Sequence, residues 1–266
     1  MGKHTPYNEL VPLEPFFELT GIKEVSHYTS ISVLFKILRN HEYRLNRIDH
    51  VNDKVEGQRL SFKDEYERTF ISCFSTRKKE FLPMWKLYTQ KGLGVFLRFK
   101  FREGYSLDSL FYKEAYDMPG RPEDCRTFSV FPGGDNWYIK FNANKVSYLH
   151  SKSTRHPVEM KIEGEQYSIP NHFALDKGAE WSYEKEVRII AVVYETLRNR
   201  EDDFPDIHSL YAPINFDCID ELTIIFDPWT DKNDWESIVL AFSQRHGFNA
   251  KIKCQNSAFY NNIREL

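Results

Sequence analysis

"VSHYTSISVLFKILRN", residues 25–40, changes hydrophobic period halfway along, and that change sets the fold class. Val25 to Tyr28 read as the end of a short β-strand. From Ile31 onward the apolar residues Ile31, Leu34, Phe35 and Leu38 recur on one helical face, with Ser30 as N-cap. At the junction, His27, Tyr28, Thr29 and Ser30 offer four consecutive hydrogen-bonding side chains, more than one helix cap requires. They are candidates for the wall of a ligand cleft. The plainer reading is a satisfied structural histidine followed by a capped helix.

Working outward, YRLN (43–46) predicts a second strand, and residues 48–68 a polar loop leading into a charged surface helix. TFISCFS (69–75) is a compact apolar strand, FLPMWKLYTQ a helix closed by Gly92 and Gly94, and VFLRFKF (95–101) the next strand. Turn-rich sequence over 102–135 reads as an excursion from the core. Strands resume at KVSYLH (145–150), in a hairpin of VEMKI with EQYSI across Glu163-Gly164, and at EVRIIAVVY (186–194). After a solvated loop, RNREDDFPD, the chain closes with a strand–helix–strand unit: ELTIIFD, NDWESIVLAFSQRHG and AKIKC. The expectation is one α+β domain over 1–266, core about 25–258, with a mixed, mainly antiparallel central sheet and flanking helices.

The chain of 266 residues, 41% hydrophobic and 15% aromatic, can bury a sizeable core. A net charge of -3 gives no global drive toward nucleic acid or anionic lipid, although Arg77, Lys78 and Lys79 form a local basic patch. Cys73, Cys125, Cys218 and Cys254 lack zinc-ligand spacing, so a reduced, cytoplasmic protein is expected. The N-terminus lacks a signal-peptide core, and no apolar run is long enough to span a membrane. GxxxxGK, GxGxxG, HExxH and GxSxG are absent, which disfavours kinases, Rossmann dehydrogenases, zincins and α/β-hydrolases.

EWSYEKEVRII (180–190) is the most informative late stretch. Period-two alternation puts Glu184, Glu186 and Arg188 on one side of a strand and Val187, Ile189 and Ala191 on the other. The polar side is either a site at the sheet's edge or a solvated ion pair. Ser72, Ser75 and Thr76 are candidate ligand hydroxyls or ordinary turn formers. Trp85 and Tyr88 read as core, and Asn52, Asp53 and Glu56 as a cation loop or an Asx turn with helix capping.

HYTS, VND-x-x-E, ISCFS, MWKLY with GLGVFLRF, WSYEKEVRI and the closing strand–helix–strand together resemble, in order, bacterial domain-of-unknown-function family 2971 over roughly 25–258. The layout is also similar to the ADP-ribosyltransferase-like fold. That second resemblance implies NAD as substrate, with His27, Tyr28 and Thr29, and Phe74 or Ser75, as nucleotide-binding residues. It implies Glu186 and Glu184 as the catalytic carboxylates, in a carboxylate-x-Glu arrangement. Phe74 stands where many members have tyrosine, and Tyr28 where many have glycine. The acceptor would be water, protein or nucleic acid, with a role in toxin or phage-defence biology, and no resident metal. A non-catalytic nucleotide-sensing or partner-binding module is the alternative. A metal-dependent nucleic-acid-processing enzyme using Asp53, Glu56, Glu184 and Glu186 is the third reading.

Overall fold

The computed structural model describes residues 21–51, 68–111, 137–149, 158–162, 165–169, 176–195 and 207–260. The expected charged helix with Asn52, Asp53 and Glu56, most of the excursion, the RNREDDFPD loop and Cys125 lie outside these residues.

Strand β1 (Glu24–Ser30) hands over directly to helix α1 (Ile31–Asn40), where the Ser30 hydroxyl accepts the Val33 N–H at 3.2 Å. The helix buries Ile31, Leu34, Ile37 and Leu38. It stops at His41, whose backbone is left-handed with φ 56° and whose N–H bonds the Ile37 carbonyl. A side chain in that region costs roughly 1–2 kcal/mol. The imidazole offsets part of this, because Nε2 donates to the His246 carbonyl at 2.7 Å and the ring packs edge-on against Phe216. Removing the N-cap with Ser30→Ala is expected to cost about 1 kcal/mol, seen as a lower urea midpoint at unchanged slope. An unmoved midpoint would mean that solvent replaces the cap without loss.

The chain continues through β2 (Glu42–Arg47), β3 (Thr69–Ser75), α2 (Leu82–Tyr88), β4 (Gly94–Phe101), β5 (Trp137–Lys145) and β6 (Ser147–Leu149). Then follow β7 (Val158–Ile162), β8 (Glu165–Ile169), β9 (Asp176–Gly178), β10 (Glu186–Glu195), β11 (Ser209–Pro213), β12 (Ile219–Phe226), α3 (Glu236–Arg245) and β13 (Lys251–Asn256). Gly94 opens β4 where a Cβ would come within 2.6 Å of the Thr89 side chain, so the helix-to-strand turn requires glycine there.

Nine strands form one mixed sheet, in the order β11-β2-β3-β1-β4-β12-β13, with β10 also on β3 and β5 on β10. Its pairs are antiparallel except β12 with β13, which run parallel across α3 as the strand–helix–strand pattern predicts. β7 and β8 form the expected hairpin, and β6 pairs with β9. Three strands differ from the sequence reading: β5, β11 and β9, the last only three residues long with no alternation to mark it. β5 runs from Trp137 to Lys145, ahead of the expected strand, and is hidden from the sequence pattern by Asn142 and Asn144, a residue type depleted in strands; β6 follows after a break at Val146. β11, SLYAP, was not expected, being a short edge strand that ends in proline.

Strand β3 is where the sheet forks. A strand has two edges, and β10 takes one along its whole length, from Thr69 to Ser75. On the other edge β2 pairs at Phe70 and Ile71, while β1 pairs at Ser75. The two branches part between them.

One face of the sheet carries the main core, including Val25, Tyr43, Phe74, Leu97, Val187, Ile189 and Ile224. The opposite face holds a smaller cluster of Tyr28, Met84, Trp85, Phe96 and Ile225 beneath α2. Among the described residues no helix is long and apolar enough to cross a membrane.

Candidate active site

The register Glu186↔Ser75 and Arg188↔Cys73 puts these side chains on the α2 face, while Val187 and Ile189 enter the main core. The approach to β10 is a tight one. β9 leads into a 3-10 turn, Ala179–Glu184, and Lys185 then adopts a left-handed conformation with φ 47° that aims the chain into the strand. This path brings Lys177 between the two glutamates. Its Nζ lies 2.6 Å from Glu184 Oε2 and 3.1 Å from Glu186 Oε2. Arg188 grips Glu186 from the other side, Nε to Oε1 at 2.7 Å and Nη2 to Oε2 at 3.3 Å.

All four groups are buried, with relative exposures of 6% for Lys177, 3% for Glu184, 5% for Glu186 and 1% for Arg188. The reading of Glu186 and Arg188 as a solvated pair is therefore corrected. β6, β9 and the 3-10 turn lie close together, with Tyr148 of β6 and Glu184 of the turn both reaching this network. Two anions and two cations sum to zero, the condition under which buried charges are tolerated.

The two carboxyls are pushed apart. Burial alone would raise Glu186, but the Arg188 charge and hydrogen bond, Lys177 and the Cys73 thiol outweigh it and hold the carboxyl down to about 2. For Glu184 burial prevails over Lys177 and over the Tyr88 hydroxyl, which donates to Oε1, and its pKa is raised. The Cys73 thiol is pushed up by burial and by the Glu186 charge. Backbone anchors complete the frame: the Glu186 N–H donates to Tyr148 Oη at 2.6 Å, and Ser75 Oγ donates to the Glu184 carbonyl at 2.5 Å.

The other expected site residues divide between the two faces. Tyr28 shares the α2 face, where its hydroxyl accepts the Phe81 N–H at 2.8 Å and its ring meets Trp85 edge-on. His27 and Phe74 face the main core with Thr29, so one surface does not gather the whole expected set. Phe74 is 2% exposed and lies against His27, Tyr43 and Phe99. Ser72 is buried, and Thr76 donates to the Lys185 carbonyl at 3.2 Å.

His27 has a structural task at the fork. Its Nδ1–H donates to the Cys73 carbonyl at 2.8 Å, the group that neither β1 nor β2 is in register to pair. The polar HYTS stretch is thus accounted for by the sheet: His27 bridges the fork, Tyr28 anchors α2 and Ser30 caps α1. Burial holds the imidazole down to about 4, against the pull of its carbonyl partner. A histidine depressed in the folded state contributes stability that is present above its ordinary 6.5 and is lost as pH falls through about 4. The loss is expected to be roughly 3 kcal/mol. It is measurable as a pH slope of the urea midpoint that flattens in His27→Asn; identical slopes in both proteins would contradict it.

Lys177, Cys73 and Tyr148 carry no site role in the sequence reading, and Tyr88, read as core beside the buried Trp85, is half-buried with its hydroxyl on Glu184. Among the described residues no group of three or more His, Cys, Asp or Glu is placed to hold a metal. Asp53 and Glu56 lie outside those residues. No curated protein and no solved structure matches the chain. Residues 84–189, which run from α2 through the glutamates to Arg188 and form a narrower span than the motif order implies, match the family described as "Protein of unknown function (DUF2971)".

Proposed function

We propose that the protein is an NAD-consuming enzyme of ADP-ribosyltransferase-like type that breaks the bond between nicotinamide and ribose. The observation that carries this reading is the pair of neighbouring carboxyls with opposed pKa shifts at the start of β10, Glu186 lowered to about 2 and Glu184 raised.

In the reaction the C1′–N bond breaks, and nicotinamide leaves as a neutral base with the bonding electron pair. Positive charge develops on the ribose in an oxocarbenium-like state. Glu186, ionised throughout the neutral range and held by Arg188, is the group suited to orient the ribose hydroxyls and to stabilise that charge. The acceptor's lone pair then attacks C1′, and its proton passes to Glu184, a better proton acceptor than an ordinary carboxylate because its pKa is raised. Water as acceptor makes the protein a glycohydrolase, and a protein or nucleic-acid nucleophile makes it a transferase.

A second reading, a nucleotide-sensing module without turnover, is favoured by one observation. Lys177, Arg188 and the Cys73 thiol already engage the Glu186 carboxylate, so its acceptor capacity is largely filled. The two readings part on one assay, nicotinamide release from NAD by the purified protein with cell lysate as a source of acceptors. Release above the spontaneous rate supports the enzyme. NAD that binds and is recovered intact establishes the sensing module instead.

A further inference from the structure

We infer that Arg77 is an anion subsite beside this carboxylate network, and that it takes the diphosphate of the bound dinucleotide. The identity of the ligand rests on the NAD reading above; the subsite itself rests on the geometry of one turn.

β3 ends at Ser75, and the next residues, TRKK, carry three consecutive cations. The turn is fixed from both sides. The Arg77 N–H donates to Ser75 Oγ at 3.1 Å, and the Arg77 carbonyl accepts from Ser26 Oγ at 3.0 Å. Ser75 is the same residue whose hydroxyl position is tied to the Glu184 carbonyl, so Arg77 and the glutamates share one anchor.

The guanidinium lies 4.7 Å above the Phe81 ring. Phe81 in turn meets Tyr183 at 5.5 Å, Tyr183 meets Trp181 at 6.2 Å, and Lys177 Nζ lies 4.7 Å over Trp181. A run of three aromatic rings thus leads from Arg77 to the cation between Glu184 and Glu186. Arg77 Nε is shielded from solvent and has no acceptor among the described residues. Glu80, the neighbouring acid, turns its oxygens to other donors, Trp85 Nε1 at 3.1 Å, Ser257 Oγ at 2.5 Å and the Ala258 N–H at 2.8 Å.

Two arguments select phosphate oxygen as the missing acceptor. A buried N–H donor without a partner is costly, and a planar guanidinium stacked on a ring is already ordered for a two-pronged anion. The inner network sums to zero, and Lys78 is paired with Glu24 at 4.0 Å, so among the three cations of this turn Arg77 is the one ordered by a ring beside the network. A dinucleotide with its reactive ribose toward Glu186 places its diphosphate on this side, and the aromatic run offers a face for a base.

The test is calorimetric titration of the full chain with ADP, adenosine and a single-stranded oligonucleotide, for the natural protein and for Arg77→Met and Arg77→Lys. ADP is expected to bind at least about 10-fold more weakly to Arg77→Met, with adenosine unchanged, Arg77→Lys intermediate and unfolding midpoints equal. ADP that binds no tighter than adenosine, or that ignores Arg77→Met, overturns the subsite. Oligonucleotide binding that depends on Arg77 while ADP binding does not exist also overturns it, in favour of a polynucleotide contact. Failure of the enzyme reading remains distinguishable: Arg77-dependent ADP binding without nicotinamide release removes the enzyme and leaves the subsite. Nicotinamide release with an unchanged KM for NAD in Arg77→Met removes the subsite and leaves the enzyme.

Discussion

Arg188→Met is expected to lower the unfolding free energy by about 3–5 kcal/mol, read as a large drop in the urea midpoint at near-neutral pH. The side chain is 1% exposed and makes the closest cationic contact to Glu186. Methionine fills much of the same volume, so the cost is electrostatic and not a cavity effect. Without the guanidinium the buried cluster carries one uncompensated negative charge, and Lys177 must serve both carboxylates. The pH dependence identifies the cause. In the natural protein Glu186 lies below its ordinary value of 4.5, so its contribution is present above that pH and is lost as pH falls toward 2. In Arg188→Met the folded-state carboxyl rises, the folded state binds a proton more readily, and the deficit shrinks on mild acidification. Replacing Glu186 as well, with leucine, leaves the balanced pair Lys177–Glu184 and is expected to recover much of the loss. A cost below about 1 kcal/mol for Arg188→Met, flat with pH, would place the pair in the class of surface ion pairs despite its burial.

What the sequence disclosed follows from where the physics is local. Helix α1 and its Ser30 cap, β3 and the parallel β12–α3–β13 unit are legible because each has one apolar face and a clear boundary residue. The alternation through Glu186, Val187, Arg188 and Ile189 likewise gives the faces of β10 correctly. Alternation says which side a residue takes but not what covers that side. The cover is built from segments far away in sequence: Tyr88 on α2, Tyr148 on β6 and Lys177 on a three-residue strand. Lys177 sits in LDKGAEW, where no apolar period marks it. The split of His27 from Glu186 is equally non-local, because it depends on Ser26 pairing with Ser75 at the fork. An ordered string of motifs carries no information about that register.

Glu186→Gln is expected to reduce nicotinamide release by about 100-fold or more, and the control that gives this number meaning is Glu184→Gln. Both glutamates sit in the same neutral cluster and share Lys177, so each replacement leaves one buried positive charge in excess. Both variants should therefore lose stability to a similar degree, and assays belong at a temperature where circular dichroism shows both folded. Their chemistry differs. A neutral amide at Glu186 cannot stabilise positive charge on the ribose, and its amino group points a donor at Lys177 or Arg188, which are donors themselves. Loss of Glu184 removes the proton acceptor but leaves the charged carboxylate that the bond-breaking step requires, so release to water is expected to stay within about 10-fold. Equal and complete loss in both variants would mean that release depends on the integrity of the network as a whole, and Glu186 would lose its catalytic assignment. Unchanged release in Glu186→Gln would remove it from the mechanism outright and leave Lys177, Glu184, Glu186 and Arg188 as a buried clasp that joins β9 and the 3-10 turn to β10.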